Sequence, residues 1–281
     1  MNLGEMRRLL EARGIRLTKS LGQNFLHDSN QIRRIADAGE VSAGDQVLEI
    51  GPGLGPLTSE LLDRARLVRA IELDQRLADF LQERFASRSN FELMHADALE
   101  VIRDHSTDWS DWKLVSNLPY SVGSPILVEF ALQRQAPLRM VATLQLEVVE
   151  RLSARPDSDS YGILSLLIGL RYTVAGSFKI PASCFFPPPD VTSACVTLIR
   201  RITPLMPAEL EAVYVRLVKL AFSQRRKMMK KLLKAAWPAK DLDAAFERVG
   251  ISAAARAEQL GITQFVALAQ NLVHGKEVEN E

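Results

Sequence analysis

The chain has 281 residues, of which 47% are apolar and 25% charged, and its formal net charge is +1. These proportions are typical of a globular protein and exclude a disordered one, and the length allows one large domain or two ordinary ones. The two cysteines and four histidines form no disulfide or metal-binding pattern, so no metal is expected. The sequence shows no apolar leader, and its longest apolar run is too short to span a bilayer, so a cytoplasmic protein without membrane contact is predicted.

Strands and helices alternate over the first half of the chain. A short basic helix is predicted over residues 3–13, Asp28 suits the N-cap of a helix that ends near Gly39, and Pro56 suits the first position of the next helix. The alternation predicts the α/β class, with an open, mostly parallel sheet and helices on both faces. The predicted strands are residues 46–50, 67–71, 91–94, 112–116 and 140–144, and further helices are predicted over residues 75–85 and 125–132.

The pattern changes after Arg200. Residues 203–207, Thr-Pro-Leu-Met-Pro, are typical of a linker, and the chain beyond them has helical periodicity with no convincing strand. The sequence therefore predicts a first domain over residues 1–204, which includes an N-terminal basic extension over residues 1–27. A small all-helical domain is predicted over residues 205–281.

A glycine-rich turn and two acidic residues follow successive strands. Gly51 and Gly53 come directly after the strand at 46–50, where glycine lets the backbone approach a ligand closely. Glu72 ends the next strand, where a carboxylate can hold both hydroxyls of a ribose, and Asp97 follows the third strand and can accept from an adenine amine. The full G-x-G-x-x-G pattern is missing, so S-adenosylmethionine fits this predicted pocket better than a dinucleotide. Taken singly, Glu72 could instead complement a helix dipole, and Asp97 could be an ordinary loop residue.

The tetrapeptide Asn117-Leu118-Pro119-Tyr120 follows the predicted strand at 112–116. The Asn oxygen and a main-chain carbonyl can accept the two N–H bonds of an exocyclic amine, which directs the nitrogen lone pair at an electrophile. Pro119 removes a competing donor, and the ring of Tyr120 offers a stacking surface for a base. An ordinary turn is the alternative interpretation of the same residues.

The strongest cluster of positive charge lies at residues 225–234. On one continuous helix, Met228, Met229, Leu232 and Leu233 would share a face, and the basic residues would form a stripe on the opposite side. No acid interrupts this segment, which favours contact with RNA phosphates over a simply solvated surface. The predicted RNA-binding residues are Arg225, Arg226, Lys227, Lys230, Lys231 and Lys234.

Together these segments resemble the small-subunit (16S) ribosomal RNA adenine-N6,N6 dimethyltransferases, over roughly residues 18–269. The resemblance implies a Rossmann-like class I methyltransferase sheet, and it implies that a monomer dimethylates two adjacent adenosines near the 3′ end of 16S rRNA, in the 30S subunit or its precursor. The motifs that carry the resemblance are Leu21-Gly22-Gln23-Asn24-Phe25-Leu26, Glu49-Ile50-Gly51-Pro52-Gly53, Ile71-Glu72-Leu73-Asp74, Asp97-Ala98, Asn117-Leu118-Pro119-Tyr120, Leu144-Gln145, Tyr161-Gly162, Phe185-Phe186-Pro187-Pro188-Pro189, Phe222-Ser223-Gln224-Arg225-Arg226-Lys227 and Arg256-Ala257-Glu258-Gln259-Leu260.

The resemblance also implies roles for individual residues. Leu118 and Tyr120, with Asn117 and Pro119, would position the target adenine, and Phe185 would close its other face, with Phe186 as the alternative and core packing as the competing role of Phe185. The residues implied to bind S-adenosylmethionine are Asn24, Leu26, Gly51, Gly53, Glu72, Leu73, Asp97, Ala98 and Asn117.

Some positions depart from the family pattern, and two other functions compete. A 23S methyltransferase of the erythromycin-resistance type would share the donor pocket and a similar Asn-(Ile/Leu)-Pro-Tyr segment. A non-catalytic ribosome-assembly or transcription factor on the same fold is the other alternative, against which the intact Asn117 and Gly51 argue. The departures from the family pattern are Ser121, Gly123, Leu146, Asp190, Thr192 and Lys231.

Overall fold

The computed structural model describes residues 1–15 and 23–273. The start of the Leu21–Leu26 motif and the predicted C-terminal residues 274–281 lie outside the described residues. None of the described helices is long and apolar enough to cross a membrane.

A seven-stranded sheet forms the centre of the chain, with strand order β4-β3-β2-β5-β6-β9-β7. Strands β2 to β6 pair in parallel, and β9 runs antiparallel to β6. The chain passes from β2 through β3 to β4 on one side and then returns to place β5 on the other side of β2. A crevice at such a switch point is where ligands bind in open α/β sheets. The strands are β1 Phe25–Leu26, β2 Gln46–Ile50, β3 Leu67–Glu72, β4 Phe91–His95, β5 Trp112–Asn117, β6 Arg139–Gln145, β7 Tyr172–Ile180, β8 Phe185–Phe186 and β9 Ser193–Arg200.

The helices confirm most of the predicted elements. Asp28 caps α2 through its side chain, Gly39 ends that helix, and Pro56 stands at the start of α3. The helices are α1 Leu3–Ala12, α2 Ser29–Ala38, α3 Pro56–Leu62, α4 Gln75–Arg84, α5 Ala98–Arg103, α6 Gly123–Ala131, α7 Leu146–Ser153, α8 Ile163–Arg171, α9 Glu211–Ala221, α10 Met229–Leu233, α11 Ala239–Val249 and α12 Ile262–Val273.

Two compact units divide the chain. The first comprises Met1–Val149 and Thr173–Arg200, and the second comprises Glu150–Tyr172 and the described residues from Arg201 onward. The boundary predicted after residue 204 differs from this grouping, because residues 150–172 belong with the C-terminal helices. The hydroxyl of Tyr214 on α9 donates to the carbonyl of Leu166 on α8, and both side chains are buried. No strand occurs in the described residues from 201 to 273, as predicted.

A small antiparallel pair, β1 with β8, brings the segment at Phe25 to the edge of unit 1. Phe25 lies opposite Phe186, and Leu26 lies opposite Phe185. Both Leu26 and Phe185 are 2% exposed and belong to the apolar core of this unit. This pairing positions the residues just before Phe25 beside the ends of β2 and β5.

Candidate functional site

A cavity at the carboxyl edge of the sheet brings most of the predicted site residues together. Its walls come from the ends of β2, β3, β4 and β5 and from the segment that precedes β1. The predicted residues that line it are Asn24, Gly51, Gly53, Glu72, Leu73, Asp97, Ala98, Asn117, Leu118, Pro119 and Tyr120.

The glycine turn after β2 is shaped so that only glycine fits. Gly51 and Gly53 have φ angles of 67° and 62°, which residues with a Cβ rarely adopt. A Cβ on Gly53 would lie 2.7 Å from the ring of Phe25, and one on Gly51 would lie 3.2 Å from the Pro119 ring. The turn is therefore packed between β1 and the tetrapeptide, and its backbone forms the floor of the cavity.

Glu72 organises this turn from the end of β3. Its side chain is 6% exposed, and its carboxylate accepts from the main-chain N–H of Gly53 at 3.2 Å and of Asp74 at 2.9 Å. Burial raises the pKa of Glu72, and these hydrogen bonds from the backbone oppose the rise. Leu73, the next residue, is 51% exposed, so an apolar side chain faces open space at this wall.

A second buried acid, Glu49, lies on β2 near Glu72. It is 2% exposed, and its Oε2 atom has no hydrogen-bond partner among the described residues. Burial, together with the charge of Glu72, raises the pKa of Glu49 to about 8. Burial therefore favours the protonated form of this side chain.

Asp97 has a structural role in addition to its place in the cavity. It is the N-cap of α5, and its Oδ1 atom accepts from the N–H of Leu99 at 2.7 Å. This hydrogen bond fixes the carboxylate at the end of β4, beside Ala98. The cap explains why an acid stands here even without a ligand, and it also holds the acid at the cavity wall.

Asn117 ends β5 at the switch point of the sheet. Its Nδ2 atom donates to the carbonyl of Asn24 at 3.1 Å, while its buried Oδ1 atom has no hydrogen-bond partner among the described residues. The preceding Ser116 donates from its hydroxyl to the carbonyl of Ile50 at 2.5 Å, which ties the ends of β5 and β2 together. Burying an oxygen without a hydrogen-bond donor costs free energy. Such an oxygen beside a cavity therefore indicates that an N–H group of a ligand donates to it.

Tyr120 lies in the turn that follows Asn117. The carbonyl of Pro119 accepts from the N–H groups of Val122 and Gly123, which closes this turn at the start of α6. The Tyr120 hydroxyl forms a short hydrogen bond with the hydroxyl of Ser193, and burial raises the pKa of Tyr120. The ring is partly buried and lines the cavity.

Two predicted residues do not line the cavity, and several unpredicted ones do. Leu26 and Phe185 lie opposite each other in the β1–β8 pair, and both belong to the apolar core. Phe186 does not line the cavity either. Most of the additional residues directly adjoin a predicted one in the sequence, whereas Leu77 and Ile126 lie on helices that only the fold places beside the cavity. The unpredicted residues of the cavity are Gln23, Phe25, Ile50, Ile71, Leu77, Ala96, Leu99, Ser121, Val122 and Ile126.

The basic segment of unit 2 differs from the predicted continuous helix. Residues 222–226 form turns, residues 227 and 228 are irregular, and within the segment only α10, Met229–Leu233, is helical. Met229 and Leu233 are fully buried and anchor this short helix, whereas Met228 and Leu232 are only partly buried. The exposed basic residues are Arg225, Arg226, Lys227, Lys231 and Lys234.

Lys230 does not belong to this exposed set. It forms a salt bridge with Asp243 of α11, and its ammonium lies 5.2 Å from the centre of the Phe246 ring. Its side chain is 15% exposed. No acid interrupts the segment in the sequence, but Asp243 of another helix balances the charge of Lys230.

Comparisons with known proteins agree with this geometry. Residues 14–273 match the model of the family described as ribosomal RNA adenine dimethylase. The chain is 38% identical to the ribosomal RNA small subunit methyltransferase A of Moorella thermoacetica (strain ATCC 39073 / JCM 9320), with 95% of this chain and 96% of that protein covered. It is 37% identical to the protein of the same name from Geobacillus sp. (strain WCH70), with 96% and 97% covered.

Two solved structures are also similar. A dimethyladenosine transferase from Plasmodium falciparum has a TM-score of 0.72 and 25% identity, with 87% of this chain and 95% of that chain covered. The 23S rRNA methyltransferase ErmE has a TM-score of 0.67 and 28% identity, with 89% and 100% covered. The higher identities are therefore to proteins named for the small subunit.

Proposed function

We propose how this chain uses the cavity of unit 1 for its reaction. The chain belongs to the ribosomal RNA adenine dimethylase family, and it dimethylates adenine of 16S rRNA with S-adenosylmethionine as methyl donor. The observation that carries the proposal is the buried Oδ1 of Asn117, which lacks a donor at the edge of the cavity.

The donor fits the half of the cavity formed by β2, β3 and β4. S-adenosylmethionine supplies a methyl group on a positively charged sulfonium. Glu72 accepts from the ribose hydroxyls while it keeps the glycine turn in place, and the turn leaves room for the donor because Gly51 and Gly53 carry no side chain. The exposed side chain of Leu73 covers one face of the donor adenine, and Asp97 accepts from its amine. Asn24, which also lines the cavity, completes this half.

The target adenine enters the half formed by the tetrapeptide. The Oδ1 atom of Asn117 accepts one N–H of the N6 amine, and the carbonyl of Leu118 accepts the other, because the carbonyl of Pro119 is already occupied by the turn. Two acceptors in this arrangement pull the nitrogen toward tetrahedral geometry and direct its lone pair at the methyl carbon. The ring of Tyr120 stacks on the base, and the extra proton of the methylated amine passes to solvent after the transfer.

Unit 2 binds the RNA backbone. Its exposed basic residues Arg225, Arg226, Lys227, Lys231 and Lys234 lie close together in sequence. Arg225 and Arg226 also line a polar cavity with Arg256, and the same cavity is lined by the acids Asp157, Asp159 and Glu258. Phosphate contacts of this kind position the substrate without reading its sequence. We assign the catalytic and donor-binding role to unit 1 and the backbone-binding role to unit 2.

The substrate particle is the 30S subunit or a precursor of it, in which two adjacent adenosines near the 3′ end of 16S rRNA are dimethylated by a cytoplasmic monomer. The identities of 37% and 38% to proteins named for the small subunit favour it over the 23S alternative, for which the identity to ErmE is 28%.

A labelling experiment tests this assignment. The protein is incubated with methyl-labelled donor and with hypomethylated 30S or 50S particles. We expect label in dimethyladenosine of the 30S particle, at two adjacent positions. Label confined to the 50S particle would assign the 23S function instead, and no label in either would leave only the non-catalytic role.

A further inference from the structure

Ser193 lies on the sheet next to the tetrapeptide, although it is 73 residues away from Tyr120 in the sequence. It is the first residue of β9, it is 0% exposed, and its Oγ atom forms a short hydrogen bond with the Tyr120 hydroxyl. This hydroxyl pair connects a turn of the catalytic cavity to a strand that contributes no residue to the cavity walls.

The position of Ser193 follows from the register of the sheet. Asn117 on β5 lies opposite Thr143 on β6, and Gln145, two residues further along β6, lies opposite Ser193. Because β9 runs antiparallel to β6, its first residue is placed at the same carboxyl edge where β5 ends. The side chains of Asn117 and Tyr120 are therefore both held by hydrogen bonds to parts of unit 1 outside the tetrapeptide.

We propose that Ser193 is a positioning residue for the target adenine, because its hydroxyl fixes the direction of the Tyr120 side chain and thereby the place of the ring on which the base stacks. The inference rests on the stacking role proposed for Tyr120. The turn 119–123 is closed by main-chain hydrogen bonds, which set the backbone of Tyr120 but not the direction in which its side chain points. The hydrogen bond to Ser193 removes that freedom, so the stacking surface is formed before RNA arrives and its ordering entropy is not lost on binding.

A kinetic comparison of variants tests this role. For Ser193→Ala we expect the KM for hypomethylated 30S particles to rise about 3- to 10-fold, the range for loss of one hydrogen bond, with unchanged calorimetric affinity for S-adenosylmethionine. Tyr120→Phe removes the same hydrogen bond from the other side and should give a similar KM. Thr197→Val is the matched control, since Thr197 lies on the same strand with 9% exposure and does not line the cavity, and it should leave KM unchanged.

The double variant Tyr120→Phe/Ser193→Ala decides between positioning and a merely structural role. If Ser193 acts through the Tyr120 hydroxyl, the double variant has the KM of Tyr120→Phe alone. Effects that multiply, a wild-type KM for Ser193→Ala, or an equal loss of donor affinity would overturn the inference. If Ser193→Ala does not fold, Tyr120→Phe with a wild-type KM overturns it. Failure of the wild-type protein to methylate 30S particles would instead contradict the proposed function.

Discussion

The side-chain Nδ2 of Asn117 donates a 3.1 Å hydrogen bond to the main-chain carbonyl of Asn24, 93 residues earlier in the chain. The same segment packs Phe25 against Gly53 and connects Gln23 to Asp74 by a hydrogen bond of 3.3 Å. The short stretch of backbone at residues 23–25 therefore lines the half of the cavity assigned to S-adenosylmethionine. It also orients the Asn117 amide that holds the target adenine. The Asn117 Oδ1 atom is left as the acceptor for the substrate because the Nδ2 atom is used in this contact.

Replacing Glu72 should weaken the donor site. Glu72→Ala removes the acceptor for the ribose and also releases the N–H of Gly53, so we expect the affinity for S-adenosylmethionine to fall roughly ten-fold or more. Calorimetry measures this directly. The affinity for 30S particles, measured without donor, is the control and should be nearly unchanged. An unaltered donor affinity would exclude Glu72 from the ribose contact.

The raised pKa of Glu49 predicts a pH dependence of stability. Because the folded pKa of about 8 lies above the ordinary value of 4.5, the folded state binds the proton more tightly. The stabilisation is complete below pH about 4.5 and is lost as the pH rises through about 8. The melting temperature of the wild type should therefore decrease between pH 6 and pH 9. Glu49→Gln should flatten this decrease, whereas parallel curves for the two proteins would show that Glu49 is already ionised at pH 6.

The exposed basic side chains of unit 2 should contribute to the salt dependence of 30S binding. For the double variant Lys227→Gln/Lys231→Gln we expect weaker binding and a slope in log salt reduced by roughly 0.7–0.9 per lost phosphate contact. Lys219→Gln/Lys240→Gln makes the same change of charge at two other exposed lysines of this unit and is the matched control. Equal slopes for the two double variants would mean that the segment around α10 has no special contact with RNA.

Phe185 should behave as a core residue. Its ring is 2% exposed within the apolar core of unit 1, so Phe185→Ala is expected to cost about 3–5 kcal/mol of stability. Phe186 is partly buried beneath Arg7, whose guanidinium lies 5.0 Å from the ring centre, and Phe186→Ala should cost less. Thermal unfolding compares the two. A stable Phe185→Ala protein with a higher KM for 30S particles would support base stacking by Phe185 instead.

The parallel part of the sheet could be predicted from the sequence, but its other edge could not. Strands β2 to β6 are short and largely apolar, and their predicted bounds differ from the observed ones by one residue at most. Strand β7 lacks such a signal, since Val174 and its neighbours are exposed along most of its length. The basic segment was predicted as one helix because its apolar residues recur with helical spacing. A short helix anchored by Met229 and Leu233 satisfies most of that pattern.

The site was predictable where a strand end carries a distinctive residue. Gly51, Glu72, Asp97 and Asn117 each follow or end a parallel strand, and parallel strands place such residues at one edge. Ser193 could not be found in this way, because its position depends on the antiparallel register between β6 and β9. The burial of Phe185 depends likewise on the pairing of β1 with β8.

The rate of methyl transfer by Asn117→Ala tests the central claim most directly. In a single turnover with saturating donor and hypomethylated 30S particles, we expect the rate to fall about 10²-fold or more, the scale for loss of one preorganised polar contact. Asn117→Asp keeps an acceptor but loses the donor to Asn24, so its rate should lie between those of the Ala variant and the wild type. The donor is kept saturating for each variant, and the affinity for 30S particles serves as the control and should change little. An Ala variant that transfers methyl groups at the wild-type rate would contradict the proposed role of Asn117.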